Sequence, residues 1–230
     1  MRKEWIPNLF TALNIAMGTL SLMFTVQGNF DVAAWAILLA AVADGLDGRV
    51  ARAFGVAGDF GKELDSLCDV VSFGVAPAVL LYTWQMALMP LGLGAMAAML
   101  LAVCGAMRLA RFNINTDVVH GFFMGMPIPT TGCLAATYVL SDAPLPVYLT
   151  WVLTLVLAWV MVSEMHYPDF KGKAADPVQK KALAAVVVIG LLLLFDEPSR
   201  WAFVFFFMYF LFGILNTIWN RLDRSGGRRA

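Results

Sequence analysis

The sequence of 230 residues contains few of the residues that build disulfide or zinc sites, and it carries little charge. It has 3 cysteines and 2 histidines, and 14% of its residues are charged. An odd number of cysteines (Cys68, Cys104 and Cys133) without paired spacing argues against a disulfide framework or a zinc site. Neither His120 nor His166 belongs to a metal-ligand pattern. The formal net charge is zero, so no nucleic-acid partner is expected.

Hydrophobic residues are abundant instead, at 60% of the chain with a mean hydropathy of +0.76. Soluble domains are nearer half apolar, so this composition indicates a polytopic membrane protein. Most of the apolar stretches approach the ~20 residues of a spanning helix, and 127–142 is short. We predict an all-α membrane protein with about eight transmembrane helices and a single domain over residues 1–230. The predicted spans are 9–27, 32–53, 60–83, 90–110, 127–142, 145–165, 179–195 and 201–219.

The lysines and arginines predict the orientation of these spans. Of the 16 basic residues, all but Arg200 precede the first span, lie around an even-numbered connection between spans, or follow the eighth span. The positive-inside rule therefore places both termini and the even-numbered connections in the cytoplasm.

Four carboxylates lie within the second and third predicted spans, where a charged group is costly and usually functional. Asp44 and Asp47 are spaced i,i+3, and Asp65 and Asp69 are spaced i,i+4, so each pair shares one helical face. With a rise of ~1.5 Å per residue, two antiparallel helices would bring all four to matching depths. Divalent cations would relieve their mutual repulsion, and all-oxygen ligation favours Mg²⁺ or Mn²⁺. Such a cluster can hold two ions.

Small residues accompany the carboxylates, at Gly45, Gly48, Ala51 and Gly61. Close packing of two helix backbones is one explanation for them. They would also leave room for a phosphorylated ligand, to which Arg52 can donate two hydrogen bonds. The pattern favours a metal-dependent phosphoryl-transfer site at the cytoplasmic boundary of the membrane.

The run from Asp44 to Asp69 reads D-x₂-D-G-x₂-A-R-x₈-G-x₃-D-x₃-D. It resembles the signature of the CDP-alcohol phosphatidyltransferases, integral membrane enzymes of phospholipid synthesis. The resemblance implies that Asp44, Asp47 and Asp65 bind metal, and that Asp69 is the general base and a further metal ligand. It also implies a homodimer. The residues expected to contact the CDP-linked donor are Gly48, Ala51, Arg52 and Gly61, together with Asn8 and Thr11 near the N-terminus.

Further runs resemble the membrane-embedded phosphatidylserine synthases within this family. They are IPNLFTALN from Ile6, FGKELDSLCDVVSFGVAP from Phe60, RLARFN from Arg108, GMPIP from Gly125, and MVS from Met161 together with YPDFK from Tyr167. Two departures are His166-Tyr-Pro-Asp169, where Arg-Tyr-Pro-Ser is expected, and Cys68 in place of alanine. The resemblance implies transfer of a phosphatidyl group from CDP-diacylglycerol to L-serine, with release of CMP. The orientation predicted from the basic residues places this site on the cytoplasmic side of the cell membrane.

Serine carries a carboxylate and an ammonium group, so its pocket should supply a cation for the first and an anion or carbonyl groups for the second. Arg108, Arg111 and Asn113 lie at the cytoplasmic end of the fourth predicted span. We expect one arginine to bind the serine carboxylate and the other to bind a phosphate. The alternative interpretation is that both arginines are positive-inside anchors.

The sequence also leaves other functions open. The same chemistry could use glycerol 3-phosphate or inositol phosphate as acceptor, or a donor with ether-linked chains. A cation transporter is a different class, since intramembrane carboxylates also line ion paths. The clustering of the carboxylates near one face and the lack of an evident inverted repeat argue against it. Asn14, a polar group in an apolar helix, is expected to bond across helices.

Overall fold

The computed structural model describes residues 5–56, 58–115, 122–168 and 202–214. Within these ranges the chain forms seven helices and one pair of short strands, so the prediction of a helical protein is confirmed there. Each helix coincides with one predicted span, whereas the predicted span 179–195 lies outside the described residues. The elements are α1 (Trp5–Val26), α2 (Phe30–Phe54), α3 (Asp59–Met86), α4 (Leu93–Asn115), β1 (Phe122–Met124), α5 (Ile128–Leu140), α6 (Val147–Val162), β2 (His166–Pro168) and α7 (Ala202–Ile214).

Three of the described helices, α1, α3 and α4, are long and apolar enough to cross a membrane. Helix α2 is 25 residues long but carries five charged residues, and α5, α6 and α7 are shorter apolar helices. Large apolar side chains are exposed along the outer faces of the long helices, among them Leu9, Leu39 and Met99. Lipid is the environment that such outward apolar faces require. The protein is therefore an integral membrane protein.

Helix α2 packs along α1 and against α5. Its buried face is built almost entirely from alanine, with Ile37 as the one large side chain, and it ends in the site residue Asp47. Small side chains let neighbouring helix backbones approach closely in a membrane. The close packing of α1 on α2 therefore brings polar groups of α1 next to the carboxylates of α2. The alanines are Ala33, Ala34, Ala36, Ala40 and Ala43.

Helix α3 is interrupted by two π-helical segments, Val70–Val75 and Tyr82–Met86. The first segment begins directly after Asp69. A π-helical turn contains an extra residue and changes the direction in which the following side chains point. The site half of α3 thus ends at Asp69.

Helices α1 and α3 are in direct backbone contact at this segment. A Cβ atom on Gly18 would lie 2.7 Å from the Cα atom of Ser72, so only glycine fits there. The hydroxyl of Ser72 donates a hydrogen bond of 2.9 Å to the carbonyl oxygen of Asn14. This contact fixes Asn14 beside the last turn before the π-helical segment.

The strands β1 and β2 form an antiparallel pair in which Phe123 lies opposite Tyr167. The pairing continues at Gly125, whose amide donates a hydrogen bond of 2.8 Å to the carbonyl of Met165. Gly125 has φ +73°, and a Cβ atom there would overlap the carbonyl of Met161. The all-α prediction missed this pair, because both segments lie between predicted spans.

Candidate metal and nucleotide-lipid site

The carboxylates of Asp44, Asp47 and Asp65 converge between α2 and α3. Each offers one oxygen, and these oxygens lie within 4.8 Å of one another. Asp69, one turn further along α3, is not part of this triad, but its buried carboxylate interacts electrostatically with all three. The helical spacing thus brought together three of the four residues predicted to bind metal, and the role of Asp69 as a ligand stays a prediction.

The triad fits a divalent cation. One oxygen of Asp65, Oδ1, is buried without a hydrogen-bond partner. Leaving a buried acceptor unpaired costs about 1–3 kcal/mol, and like charges at this separation repel. An all-carboxylate donor set suits hard cations such as Mg²⁺ or Mn²⁺, which would satisfy the unpaired oxygen and offset the repulsion.

Helix α1 contributes two hydrogen bonds to these carboxylates. The hydroxyl of Thr11 donates to Oδ2 of Asp47 at 2.9 Å, and Nδ2 of Asn14 donates to Oδ1 of Asp69 at 3.0 Å. Both donors are buried, with Asn14 at 0% exposure. The cross-helix role expected for Asn14 is confirmed. Such contacts restrict the rotation of each carboxylate and leave its other oxygen for a ligand.

A cavity of about 200 Å³, partly open to the surroundings, adjoins the triad. The six residues predicted to bind the donor all line it: Asn8, Thr11, Gly48, Ala51, Arg52 and Gly61. Its walls also include Asp47, Asp65 and Lys62. The cavity therefore combines an arginine, a lysine, small residues and carboxylates that could bind a cation. This combination is suited to a phosphorylated ligand.

Two of the three glycines that line this cavity lie close to polar side chains. A Cβ atom on Gly48 would lie 3.6 Å from Nη1 of Arg52, and one on Gly61 would lie 3.7 Å from Oδ1 of Asn8. Both are ordinary contact distances. Alanine is therefore accommodated at each position, whereas a larger side chain would fill the cavity.

The structure separates the three residues predicted to bind the acceptor. Arg108 is buried, its Nε atom lacks a hydrogen-bond partner, and its guanidinium lies 5.8 Å from the ring centroid of Phe112. Its charge interacts with those of Arg111 and Asp69, and Tyr209 of α7 is a neighbour that the sequence did not reveal. Asn113 instead donates a hydrogen bond of 2.9 Å to the hydroxyl of Ser66.

Arg111 is engaged with the backbone. Its Nη1 donates to the carbonyl of Val162 at 2.8 Å, and its Nη2 donates to that of Ser163 at 3.0 Å. Longer contacts reach the carbonyls of Met124 and Met161, each at 3.4 Å. A cation at the carbonyl end of a helix is stabilising, so Arg111 ties the end of α4 to the end of α6 and to β1.

Comparison with known proteins assigns the family. A model of the CDP-alcohol phosphatidyltransferases matches residues 4–163, which include the four carboxylates, the residues that line the cavity and Arg108. The chain belongs to the CDP-alcohol phosphatidyltransferase family.

Several relatives within this family are similar over most of their length. A CDP-diacylglycerol–serine O-phosphatidyltransferase of Helicobacter pylori is 35% identical, over 92% of this chain and 90% of that protein. One of Methanocaldococcus jannaschii is 34% identical, over 93% of this chain and 94% of that protein. An archaetidylserine synthase of Methanothermobacter thermautotrophicus is 34% identical, over 74% of this chain and 72% of that protein.

Proposed function

We propose that this protein transfers the phosphatidyl group of CDP-diacylglycerol to the hydroxyl of L-serine, giving phosphatidylserine and CMP. The observation that carries the proposal is the triad of Asp44, Asp47 and Asp65, two of whose members, Asp47 and Asp65, line the cavity that we assign to the donor. The names of the Helicobacter and Methanocaldococcus relatives support serine as the acceptor. The proposal covers residues 1–230 as one domain.

The donor binds in the cavity between α1, α2 and α3. Arg52 donates hydrogen bonds to the diphosphate, and Gly48, Ala51 and Gly61 leave space for the cytidine. Asn8 and Thr11 form the wall contributed by α1. When bound, Mg²⁺ or Mn²⁺, with two ions per site, supplies charge neutralisation for the diphosphate and for departing CMP.

Asp69 is the general base of the reaction. The serine hydroxyl oxygen forms a bond to the phosphorus that carries diacylglycerol, and the bond from that phosphorus to the oxygen of CMP breaks. The proton of the hydroxyl passes to the carboxylate of Asp69. The hydrogen bond from Asn14 occupies one oxygen of Asp69, so the other oxygen faces the acceptor as proton acceptor.

Arg108 binds the carboxylate of the acceptor. It is the predicted acceptor-site residue with a buried and unsatisfied donor atom, and its charge interacts with that of the proposed base. Arg111, whose guanidinium donates to backbone carbonyls, is assigned to holding the adjacent segments in place. This replaces the expectation of two substrate-binding arginines. Asn113, hydrogen-bonded to Ser66, orients the end of α4.

The enzyme spans the membrane eight times, with both termini and the active site on the cytoplasmic side, and it acts as a homodimer. The support for the orientation is the placement of 15 of the 16 basic residues on one side. The homodimer rests on the family resemblance alone. Water-soluble serine and CMP would then exchange with the cytoplasm, while the lipid donor and product stay in the membrane.

CMP release tests this function. Purified protein in detergent receives CDP-diacylglycerol with Mn²⁺ or Mg²⁺, and serine, glycerol 3-phosphate or inositol phosphate in separate reactions. We expect CMP only with serine, and none after EDTA is added. Release only with another acceptor would overturn the serine assignment and keep the metal site. No release with any acceptor would overturn the transferase proposal and favour a cation transporter.

The lipid chains of the donor are a second variable in this experiment. The relative named archaetidylserine synthase favours testing a CDP-activated lipid with ether-linked chains beside CDP-diacylglycerol. Both donors present the same CDP headgroup, so both fit the cavity described above. A large preference for the ether-linked donor would change the substrate and leave the chemistry of the site as proposed.

A further inference from the structure

Four buried side-chain atoms in the described residues lack a hydrogen-bond partner: Oδ1 of Asn14, Oγ of Ser21, Oδ1 of Asp65 and Nε of Arg108. Three of these four atoms belong to residues around the carboxylate site. The atom of Asp65 is explained by the cation, and that of Arg108 by the carboxylate of the acceptor. The unsatisfied oxygen of Asn14 has no explanation in the mechanism so far.

The chemistry of its neighbour fixes the orientation of the Asn14 amide. An ionised carboxylate only accepts hydrogen bonds, so the NH₂ group of Asn14 must face Oδ1 of Asp69, at 3.0 Å. The amide oxygen is bonded to the same carbon, so it lies beside Asp69 and points away from the carboxylate. Since Asn14 is fully buried, this oxygen is an acceptor held next to the proposed base.

Two unsatisfied atoms of opposite character therefore lie around Asp69. Arg108 supplies a cationic donor from α4, and Asn14 supplies a neutral acceptor from α1. A ligand that satisfies both atoms must carry an anionic group and a hydrogen-bond donor. The hydroxyl of the acceptor is not that donor, because its proton passes to Asp69. An ammonium group on the same molecule meets the requirement.

We propose that Oδ1 of Asn14 accepts a hydrogen bond from the ammonium group of an amino-acid acceptor. Asn14 is then a specificity-determining residue that distinguishes amino-acid acceptors from hydroxy acids. The proposal rests on the proposed serine transferase function. It assigns each polar group of serine to one residue: the carboxylate to Arg108, the hydroxyl to Asp69 and the ammonium to Asn14.

The test compares serine with 3-hydroxypropionate, which has the same hydroxyl and carboxylate but no ammonium group. For wild-type enzyme and Asn14→Ala, kcat/KM is measured for each acceptor with CDP-diacylglycerol held saturating. Ser21→Ala is the matched control, because Ser21 is also a buried residue of α1 with an unsatisfied side-chain atom. Binding of CDP-diacylglycerol to each variant verifies that it is folded.

We expect Asn14→Ala to reduce the preference for serine over 3-hydroxypropionate by about tenfold or more, since a hydrogen bond to a charged group is lost. Ser21→Ala should keep the wild-type preference. Equal losses with both acceptors would overturn the proposal and leave Asn14 as a residue that only positions Asp69.

Two further results are decisive. If 3-hydroxypropionate reacts with neither protein, the KM for serine decides: a tenfold rise in Asn14→Ala supports the proposal, and an unchanged KM with a lower kcat overturns it. If wild-type enzyme does not use serine at all, the proposed function itself has failed. That outcome differs from serine transfer with an unchanged preference, which refutes only the role of Asn14.

Discussion

Nη1 of Arg111 donates a hydrogen bond of 2.8 Å to the carbonyl oxygen of Val162. The two residues are 51 positions apart in the sequence, and the bond closes the end of α6 against the end of α4. Arg108 lies one helical turn before Arg111 on α4. Two arginines that the sequence presents as equivalent thus have different surroundings, and the first two predictions separate them.

Arg111→Ala should lower the thermal stability of the purified protein. The variant leaves the carbonyls of Val162 and Ser163 without their charged donor, and hydrogen bonds to charged groups contribute about 1.5–3 kcal/mol each. The measurement is thermal unfolding in detergent. Arg49→Ala removes an exposed arginine from α2 and should leave the transition near that of wild type. Equal transitions for the two variants would show that Arg111 contributes no stability.

Arg108→Met should impair the use of serine and leave the use of ethanolamine unchanged. Methionine fills a similar apolar volume but removes the cation, and ethanolamine has no carboxylate to be bound by it. We expect the kcat/KM for serine to fall about 10- to 100-fold, in line with the loss of a charged hydrogen bond. The ratio of the two acceptors is measured by product formation. A parallel loss with both would place Arg108 outside the acceptor pocket.

Asp65→Asn should abolish stabilisation by Mn²⁺. The substitution removes one of three converging carboxylates and leaves a neutral amide, which is a weaker ligand for a hard cation. The melting temperature is measured with and without Mn²⁺, a readout that does not require activity. Asp59→Asn, at an exposed position in the first turn of the same helix, is the control and should respond to Mn²⁺ as wild type does. Retained stabilisation in Asp65→Asn would remove Asp65 from the metal site.

Asp69→Asn should eliminate turnover while the donor still binds. The amide cannot accept the proton of the acceptor hydroxyl, and general-base catalysis typically contributes about 10²–10⁴-fold. CMP release is compared with binding of CDP-diacylglycerol, measured by its protection against thermal unfolding. If turnover persists within a few-fold of wild type, another group is the base. If donor binding is lost together with turnover, the main role of Asp69 is to bind metal.

Local spacing predicted much of the candidate site. Positions three and four apart on a helix share a face, so Asp44 with Asp47, and Gly61 with Asp65, could be placed without knowledge of the tertiary structure. The metal site could also be predicted without a basic partner for the carboxylates, because several like charges at matching depths already indicate a bound cation. The structure brings Asp44, Asp47 and Asp65 together and places Asp65 and Gly61 on one cavity wall.

Contacts between distant segments could not be predicted in the same way. Arg111 obtains its partners from a helix end about 50 residues away, and β1 pairs with β2 across a similar separation. Neither segment has strand periodicity, because each strand is only three residues long. The unsatisfied oxygen of Asn14 is likewise invisible in sequence, since it depends on which neighbours fail to reach it.

The π-helical segment after Asp69 has a consequence for how this helix can change over evolutionary time. Each α-helical residue advances the helix by about 100°, so the extra residue in a π turn rotates everything beyond it relative to the site. Deletion of one residue between Val70 and Val75 would therefore change the direction in which Leu80, a fully buried core residue, points relative to the carboxylates. The length of this segment therefore sets which side chains of the membrane-embedded half face the core while the carboxylates face the metal site.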